Sequence, residues 1–290
     1  MRIGWIGLGK LGLPMAKRIR EAGNTVVVYA RNAAGCERAA HHGFDSVKAI
    51  SALCRDVEIV ISSIYDDDSL YDIIASTGGL AQSLSADQIF IDTSTVSPLA
   101  SSEVAKTLSE RSVPYLRLPV SGSVATAERG ELTAIGSGPQ AAFDRVRPLI
   151  SSFASRIFYL GPEEEARYMK LSLNAMVGAM APLLGEALKL SVEGGVTLAT
   201  ALEVFSHSAV STPLLNYKRS MILADNYEPA FSLAGMLKDL DIIALAAREQ
   251  KNSAPILAAI REQYAKAVDG GDGEKDFFVI LKRTLDPSAN

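Results

Sequence analysis

The chain changes character once, near residue 161, and this change constrains its fold more than any other feature. Before that point, short apolar runs that suit buried strands alternate with stretches that suit helices. Beyond it, the strand pattern stops and helical segments follow one another. Alternating strands and helices predict a parallel α/β sheet, whereas helical segments alone predict a helical bundle. We therefore expect two domains of different class in the 290 residues.

The first region contains seven predicted strands, which are expected to form one doubly wound sheet. They cover residues 2–6, 25–30, 56–64, 89–92, 115–118, 132–135 and 157–160. Ligands bind such sheets at the loops that leave the carboxyl ends of the strands. The site residues of this region are therefore expected in those loops.

A long helix is predicted to join the two regions. Pro162 suits its first position, where the missing N–H costs nothing, and residues 163–165 are glutamates that face the positive end of the helix dipole. From Leu171 to Gly185 there is no charged residue and apolar side chains cover every face, which predicts a buried helix. The predicted domains are 1–161, the connecting helix 162–194, and an all-helical domain 195–290 with helices at 197–206, 212–223, 231–250 and 254–268.

A glycine-rich turn directly follows the first strand. Gly7, Gly9 and Gly12 form a G-x-G-x-x-G motif that also contains Lys10 and Leu11. Such glycines permit a tight turn and close approach of the backbone to a pyrophosphate at the N-terminus of the next helix. Because a strand precedes the motif and a helix and a second strand follow it, the pattern predicts a Rossmann domain that binds a dinucleotide. The alternative is a glycine-rich turn without a ligand.

The end of the second strand indicates which dinucleotide is bound. A site for NAD usually has a carboxylate about 20 residues after the glycine motif, where it accepts from the ribose 2′-hydroxyl. Arg31 stands at this position, followed by Asn32, and the next acidic residue is Glu37. Because a guanidinium suits a 2′-phosphate, the sequence favours NADPH. NAD stays possible, if Arg31 is an exposed side chain in a site that takes both cofactors.

Lys170 and Asn174 lie one helical turn apart, where the long predicted helix becomes apolar. A lysine beside an amide at the entrance to a core is a candidate acid/base with a polar helper. The alternative is a lysine that extends to solvent and a hydrogen-bonded amide within the core.

Charge and composition argue against several functional classes. The net charge of −4 gives no basic footprint for nucleic acid. Cys36, Cys54 and the histidines match no metal-binding spacing, and Asp66–Asp68 suit a helix start better than a metal site. The first residues do not resemble a signal peptide, and the uncharged run of about 15 residues is short of the roughly 20 that span a bilayer. We expect a soluble, cytoplasmic protein with no metal, membrane or nucleic-acid partner.

Five stretches resemble the β-hydroxyacid dehydrogenase family, which contains 3-hydroxyisobutyrate dehydrogenase and related semialdehyde and glyoxylate reductases. They are IGLGKLGLPMA at 6–16, DTSTVSP at 92–98, PVSGS at 119–123 with GELTAIGSG at 130–138, the K-x-x-x-N of Lys170 and Asn174, and FSLAGMLKDL at 231–240. The resemblance spans almost the whole chain. It implies an oxidoreductase that moves a hydride between NADP(H) and a short, carboxylate-bearing β-hydroxy acid or semialdehyde, with a helical C-terminal domain like that of 6-phosphogluconate dehydrogenase.

The resemblance also implies a role for each matching residue. Lys170 would be the catalytic acid/base, and Asn174 would hold the substrate oxygen. The loop of Ser121, Gly122 and Ser123 would bind the substrate carboxylate. The predicted cofactor contacts are Gly7, Gly9, Lys10, Leu11, Gly12, Arg31, Asn32, Ile64, Thr95 and, near the nicotinamide, Lys238. For Lys238 and Asp239 the alternative is a solvated helix face.

Two departures from the family pattern lie near the expected substrate. Leu173 stands where the family usually has a second asparagine, and residues 123–127 replace a glycine-rich form of the loop. The side chain of the substrate and the direction of the reaction therefore stay open. A homodimer is expected, because one small helical domain supplies too little cover for a helix that is apolar on every face, and the resemblance implies the same.

Two other functions are weighed against the dehydrogenase. An imine reductase would share the scaffold, but such enzymes usually lack a lysine at the position of Lys170 and have no use for a carboxylate loop. A non-catalytic dinucleotide-binding domain would have no need of Ser121, Lys170 and Asn174 together. The dehydrogenase or reductase is therefore the preferred function.

Overall fold

The computed structural model of the protein describes residues 1–285, and nine strands lie within them. They are β1 Arg2–Ile6, β2 Thr25–Tyr29, β3 Asp45–Val47, β4 Ile59–Ser62, β5 Ile89–Asp92, β6 Tyr115–Arg117, β7 Val120–Ser121, β8 Leu132–Gly136 and β9 Ala154–Tyr159. Six of them form a parallel sheet in the order β3-β2-β1-β4-β5-β6, which is the Rossmann order. The predicted doubly wound fold is therefore confirmed.

The last three strands form a second sheet, so the prediction of one continuous sheet is wrong. β7 pairs with β8 in antiparallel fashion, and β8 pairs with β9 in parallel. The chain leaves the main sheet at Pro119, which has no N–H to donate to a strand neighbour and accepts from the Ile135 N–H at 3.0 Å. The missed strands β3 and β7 have three and two residues, too few to show an alternating pattern.

Fourteen helices lie in the described residues, with a π-helical turn at Val268–Asp272. They are α1 Gly12–Glu21, α2 Ala33–His41, α3 Ile50–Leu53, α4 Asp67–Ala75, α5 Leu80–Ser83, α6 Pro98–Ser109, α7 Val124–Glu128, α8 Gln140–Ile150, α9 Glu165–Glu193, α10 Leu198–Ser206, α11 Pro213–Leu223, α12 Leu233–Glu249, α13 Pro255–Ala267 and α14 Val279–Leu285. As predicted, Asp66 caps α4 by accepting from the Ser69 N–H. The helices predicted after residue 195 are all present.

The long helix α9 begins at Glu165, so the prediction that Pro162 occupies its first position is wrong. Gly161 has a φ of +150°, and the Glu163 N–H donates to the carboxylate of Glu165 at 2.8 Å. The side chain of Glu164 is paired with the buried Arg117. These local contacts satisfy polar groups before the first helical turn, so the helix starts three residues later than proline placement suggests.

Not every face of α9 is buried, which corrects the second prediction made for it. Met176, Leu183 and Leu190 are 72%, 67% and 76% exposed. Among the described residues α9 is also the one helix that is long and apolar enough to cross a membrane, with a mean hydropathy of 1.3 over its most apolar window. The core helix of a soluble protein passes the same test, so this observation has little weight.

The chain divides into two compact units, Met1–Leu171 and Ser172–Asn290. The first two turns of α9 therefore belong to the unit that contains both sheets. The rest of α9 belongs to the unit of helices. The predicted limits at residues 161 and 194 stay predictions.

Candidate active site

The glycine turn after β1 shows a different physical requirement at each glycine. Gly7 has a φ of +96°, and a Cβ there would lie 2.1 Å from the carbonyl oxygen of Ser63. A Cβ on Gly12 would lie 2.1 Å from the carbonyl oxygen of Gly7. At Gly9, by contrast, no atom lies within 4 Å of the position of a Cβ. The outer two glycines are thus required by the fold, whereas Gly9 faces open space that a ligand could occupy.

A cavity of about 460 Å³ lies beside this turn, at the carboxyl ends of β1, β2 and β4. Gly7, Gly9 and Ile64 line it. No side chain caps the N-terminus of α1, where Leu11 is half-buried and Lys10 is exposed. An uncapped helix N-terminus next to an open glycine fits the pyrophosphate of a dinucleotide.

Two arginines line the cavity beyond the end of β2. Arg31 lies two residues beyond the end of β2, and Arg38 lies on α2. Asn32 also lines the cavity, but its side chain caps α2 by accepting from the Gly35 N–H at 2.9 Å. Among the described residues that line the cavity, the one carboxylate is Asp72, which belongs to α4 rather than to the β2 end. Arg38 was missed from the sequence, because Arg31 precedes the N-cap of α2 and no helical spacing links the two residues.

Hydrogen bonds link the loop that follows β4 to the loop that follows β5. The Ile64 N–H donates to Ser94 Oγ at 2.9 Å, and Ser94 Oγ–H donates to the buried Asp92 carboxylate at 2.6 Å. Asp92 also accepts from Ser62 Oγ–H at 2.7 Å. Thr95, the next residue along, is half-buried and does not line the cavity itself. Its predicted contact with the cofactor stays a prediction.

Arg167, in the first turn of α9, binds the same loop from the other side. Its guanidinium is buried and donates to Asp92 Oδ2 at 2.6 Å, to the Ser94 carbonyl at 2.7 Å, to Tyr115 OH at 2.8 Å and to Ser101 Oγ at 3.1 Å. Burial raises the pKa of Tyr115. Burial acts to lower the pKa of Arg167, but its interactions with Tyr115 and Asp92 outweigh this and raise it. Because these partners are distant in sequence, no local pattern predicts the cluster.

The predicted substrate loop follows β7. Ser121 is half-buried and closes the pairing of β7 with β8, opposite Thr133. Gly122 has a φ of +148°, and a Cβ there would lie 2.5 Å from Thr126 Oγ1. Ser123 caps α7 by accepting from the Thr126 N–H at 3.2 Å. The segment that departs from the family's glycine-rich form is thus a short helix, and the Ser123 hydroxyl already has a structural partner.

Lys170 lies in the second turn of α9 and is half-buried, and Asn174 follows it one turn later. Asn174 is 8% exposed, and its Nδ2 donates to Asp239 Oδ2 at 2.6 Å. Because an ionised carboxylate only accepts, this contact fixes which end of the Asn174 amide faces Asp239. The Lys238 ammonium lies 2.8 Å from the other oxygen of Asp239.

Asp239 is 1% exposed, so the alternative of a solvated helix face does not hold for it. It was missed as a functional candidate because the sequence shows only a Lys-Asp pair within a helix. The structure thus brings Asn174, Lys238 and Asp239 together in the helical unit. In the first unit, Gly7, Gly9, Arg31, Asn32 and Ile64 line one cavity.

Comparison with known proteins identifies the family. Residues 2–161 match the NAD binding domain of 6-phosphogluconate dehydrogenase, and residues 165–284 match the NAD-binding region of NADP-dependent 3-hydroxyisobutyrate dehydrogenase. Glyoxylate/succinic semialdehyde reductase 1 of Arabidopsis thaliana is 27% identical over 282 residues, which is 97% of this chain and 98% of that protein. 2-(Hydroxymethyl)glutarate dehydrogenase of Eubacterium barkeri is 25% identical over 283 residues, which is 97% of this chain and 94% of that protein.

Solved structures share the fold. The 3-hydroxyisobutyrate dehydrogenase of Mycobacterium tuberculosis with L-serine has a TM-score of 0.88 at 23% identity and covers 98% of this chain and 99% of its own. Psf3 in complex with NADP+ and 2-OPP has a TM-score of 0.87 at 23% identity, with 97% and 99% covered. An imine reductase of Streptomyces aurantiacus has a TM-score of 0.61 at 18% identity, with 99% and 100% covered.

The matches to both regions, taken with the glycine turn and the cavity beside it, determine the class of protein. Relatives over the full length are named as dehydrogenases and reductases. Both families that match are NAD-binding, so a nicotinamide dinucleotide is the cofactor. The names of the relatives are consistent with a small-molecule substrate. The chain belongs to the 3-hydroxyisobutyrate dehydrogenase family of NAD(P)-dependent β-hydroxyacid dehydrogenases and semialdehyde reductases, which act on a CH–OH group.

Proposed function

We propose that this protein is an NADPH-preferring reductase of short semialdehydes that carry a carboxylate, with Lys170 as its acid/base. The observation that carries the proposal is that Lys170 and Asn174 lie one turn apart on α9, with Asn174 buried and bonded to Asp239. A hydrogen-bonded core amide would look the same at Asn174, so the Lys170→Ala experiment below separates the reductase from a silent dinucleotide-binding domain. Glyoxylate and succinic semialdehyde, which occur in the name of the Arabidopsis relative, are candidate substrates.

The preference for NADPH is supported by the arginines at the end of β2. Arg31 and Arg38 line the same cavity, and the one carboxylate among its described lining residues comes from α4. Two guanidinium groups can hold a 2′-phosphate by charge and by paired hydrogen bonds. A 2′-hydroxyl would meet no carboxylate from the β2 end. NADPH is therefore expected to bind more tightly than NADH.

The residue types suit the reduction of an aldehyde. The nicotinamide, when bound, supplies the hydride. The Lys170 ammonium donates a proton to the carbonyl oxygen as it becomes an alkoxide, and its charge stabilises that oxygen before the transfer. In the reverse direction the neutral amine accepts the proton of the hydroxyl group. Asn174, fixed by Asp239, is proposed to hold the substrate oxygen, and Ser121 and Gly122 to bind its carboxylate.

A homodimer is part of the proposal and is supported by a seam on α9. Met169, Met176, Leu183 and Leu190 recur every seven residues, and all four are exposed. Apolar residues at this spacing form the contact line of paired helices. Burial of an apolar side chain of this size contributes about 1.5–3 kcal/mol, so a second copy on this seam would be stabilised substantially. A cytoplasmic location is proposed from composition alone.

The proposal is tested by Lys170→Ala, with Lys189→Ala on the same helix as the matched control. Turnover of a semialdehyde with NADPH should fall by about 10²–10⁴-fold in Lys170→Ala, because a general acid contributes this much. Binding of NADPH should not change, and Lys189→Ala should resemble the wild type in both assays. Wild-type turnover by Lys170→Ala would show that the assigned mechanism is wrong. Efficient reduction of imines, with aldehydes left unreduced, would favour the alternative function.

A further inference from the structure

Arg167 is a buried arginine that joins two parts of the molecule with separate tasks. It belongs to the first turn of α9, one turn before Lys170. Its guanidinium contacts Asp92, the last residue of β5, and Ser94 in the loop that follows, and that loop continues into Thr95. Ser94 in turn accepts from the N–H of Ile64, which lines the nucleotide cavity. One side chain thus connects the proposed acid/base helix to the loops that flank the cofactor site.

The hydrogen bonds of this cluster are nearly complete, which makes its geometry specific. Arg167 donates to four different acceptors, and it has five N–H donors in a planar fork. Asp92 accepts from Arg167, Ser62 and Ser94. A lysine in place of Arg167 would retain the positive charge. It could not reach all four acceptors in their fixed directions, because its three donors sit on a single nitrogen.

Stability alone is a weak explanation for such a pair. The cost of removing two charges from water offsets much of their attraction, so buried ion pairs often stabilise a fold less than apolar residues of the same size. The side chains of Arg167 and Asp92 are 1% and 0% exposed, so this cost is near its maximum. What the pair supplies without ambiguity is a fixed position for the start of α9 relative to the end of β5.

We propose that Arg167 is a positioning residue, which sets Lys170 relative to the loop at Ser94 and Thr95 through its bonds to Asp92 and to the Ser94 carbonyl. The proposal rests on the acid/base role proposed for Lys170. Reaction rates fall on the order of 10²-fold when a reacting group is displaced by about 1 Å. Weakening the bonds between Arg167 and the end of β5 should therefore reduce kcat. It should change KM much less, because Arg167 itself is buried away from solvent and contacts protein groups.

Arg117 offers a matched control. It is also buried, it donates to the carboxylate of Glu164 at the start of α9, and its guanidinium lies 4.7 Å from the centre of the Tyr115 ring. Within the described residues its side chain donates to Glu164 rather than to Asp92 or Ser94, and its replacement removes a similar ion pair. A purely structural role predicts the same loss of activity for both arginines, in proportion to the loss of stability.

The experiment compares Arg167→Lys with Arg117→Lys for thermal unfolding, kcat and KM with a semialdehyde and NADPH, and amide hydrogen exchange. In Arg167→Lys, kcat should fall on the order of 10²-fold with a small change in KM. Exchange should become faster both in residues 93–97 and in residues 165–171. Arg117→Lys should keep kcat near the wild-type value at a similar loss of stability. If Arg167→Lys does not fold, the double variant Arg167→Met with Asp92→Asn, which removes both charges, takes its place with the same expectation.

Wild-type kcat in Arg167→Lys, or equal losses of kcat in the two lysine variants, would overturn the proposal. Lys170→Ala, measured in parallel, separates this failure from that of the proposed function. If Lys170→Ala retains turnover, the acid/base role fails, whatever the Arg167 variant does. If Lys170→Ala loses turnover and Arg167→Lys does not, the positioning role alone is wrong.

Discussion

Replacing Gly9 by alanine should weaken cofactor binding without destabilising the fold. Its φ is not in the left-handed region, and no atom lies within 4 Å of the position that a Cβ would take. Gly9→Ala should therefore leave the free energy of unfolding unchanged or raise it by up to about 1 kcal/mol, because alanine has fewer conformations in the unfolded chain. The new methyl group would instead occupy the space into which we expect the pyrophosphate to fit.

The expected loss of binding follows from the hydrogen bonds at stake. One hydrogen bond to a charged group is worth about 1.5–3 kcal/mol, and each 1.4 kcal/mol is a factor of ten in affinity. Loss of one backbone contact to a phosphate oxygen should therefore weaken NADPH binding by about 10–150-fold. Gly12→Ala is the contrast, since its Cβ would lie 2.1 Å from the Gly7 carbonyl oxygen and the fold itself should be destabilised.

The protein contains a natural probe for this measurement. Trp5 is the single tryptophan, it is fully buried, and its indole N–H donates to the Gly7 carbonyl at 2.9 Å. Quenching of its fluorescence by NADPH should report occupancy of the cavity next to Gly7. We expect Gly9→Ala to unfold at the same temperature as the wild type. We also expect NADPH to quench its Trp5 fluorescence less strongly at the same concentration. Unchanged affinity in Gly9→Ala would refute the placement of the pyrophosphate at this turn.

Two further predictions concern the cofactor and the assembly. The double variant Arg31→Ala with Arg38→Ala should bind NADPH about 10–150-fold more weakly, because charged hydrogen bonds are lost, and should bind NADH as the wild type does. Arg55→Ala, at an exposed arginine, is the control. Equal affinity of the wild type for NADPH and NADH would contradict the role of the two arginines in binding the 2′-phosphate. The double variant Leu183→Glu with Leu190→Glu should be a monomer in light scattering where the wild type is a dimer, because two charges would face the apolar seam of the other copy. A monomeric wild type would contradict the proposal that this seam is a dimer interface.

The first half of the fold is predictable because its signals are local. The glycine turn sits between a strand and a helix in the sequence itself, and the strands of the main sheet are apolar runs separated by helices. The helix start at Asp66 is also a local signal, and Asp66 caps α4 as predicted. Short strands such as β7 escape this reasoning, because two residues carry no period.

The parts of the candidate site that were missed depend on contacts between distant residues. Arg167 and Asp92 are 75 positions apart, and Asn174 and Asp239 are 65 apart. Neither pair leaves a pattern within one helix or strand. The exposed seam of α9 has a different cause, since an apolar residue looks the same in a sequence whether its own chain or a second copy covers it.

The most direct test of the account is a comparison of aldehydes that differ only in the carboxylate. NADPH oxidation should be measured with succinic semialdehyde and with its methyl ester, and with glyoxylate as a second acid. We predict that kcat/KM is at least about tenfold higher for the acid than for its ester, since the interaction with the carboxylate is charged and the ester loses it. Equal turnover of acid and ester, or no NADPH oxidation with either, would contradict the central claim that this protein reduces carboxylate-bearing aldehydes.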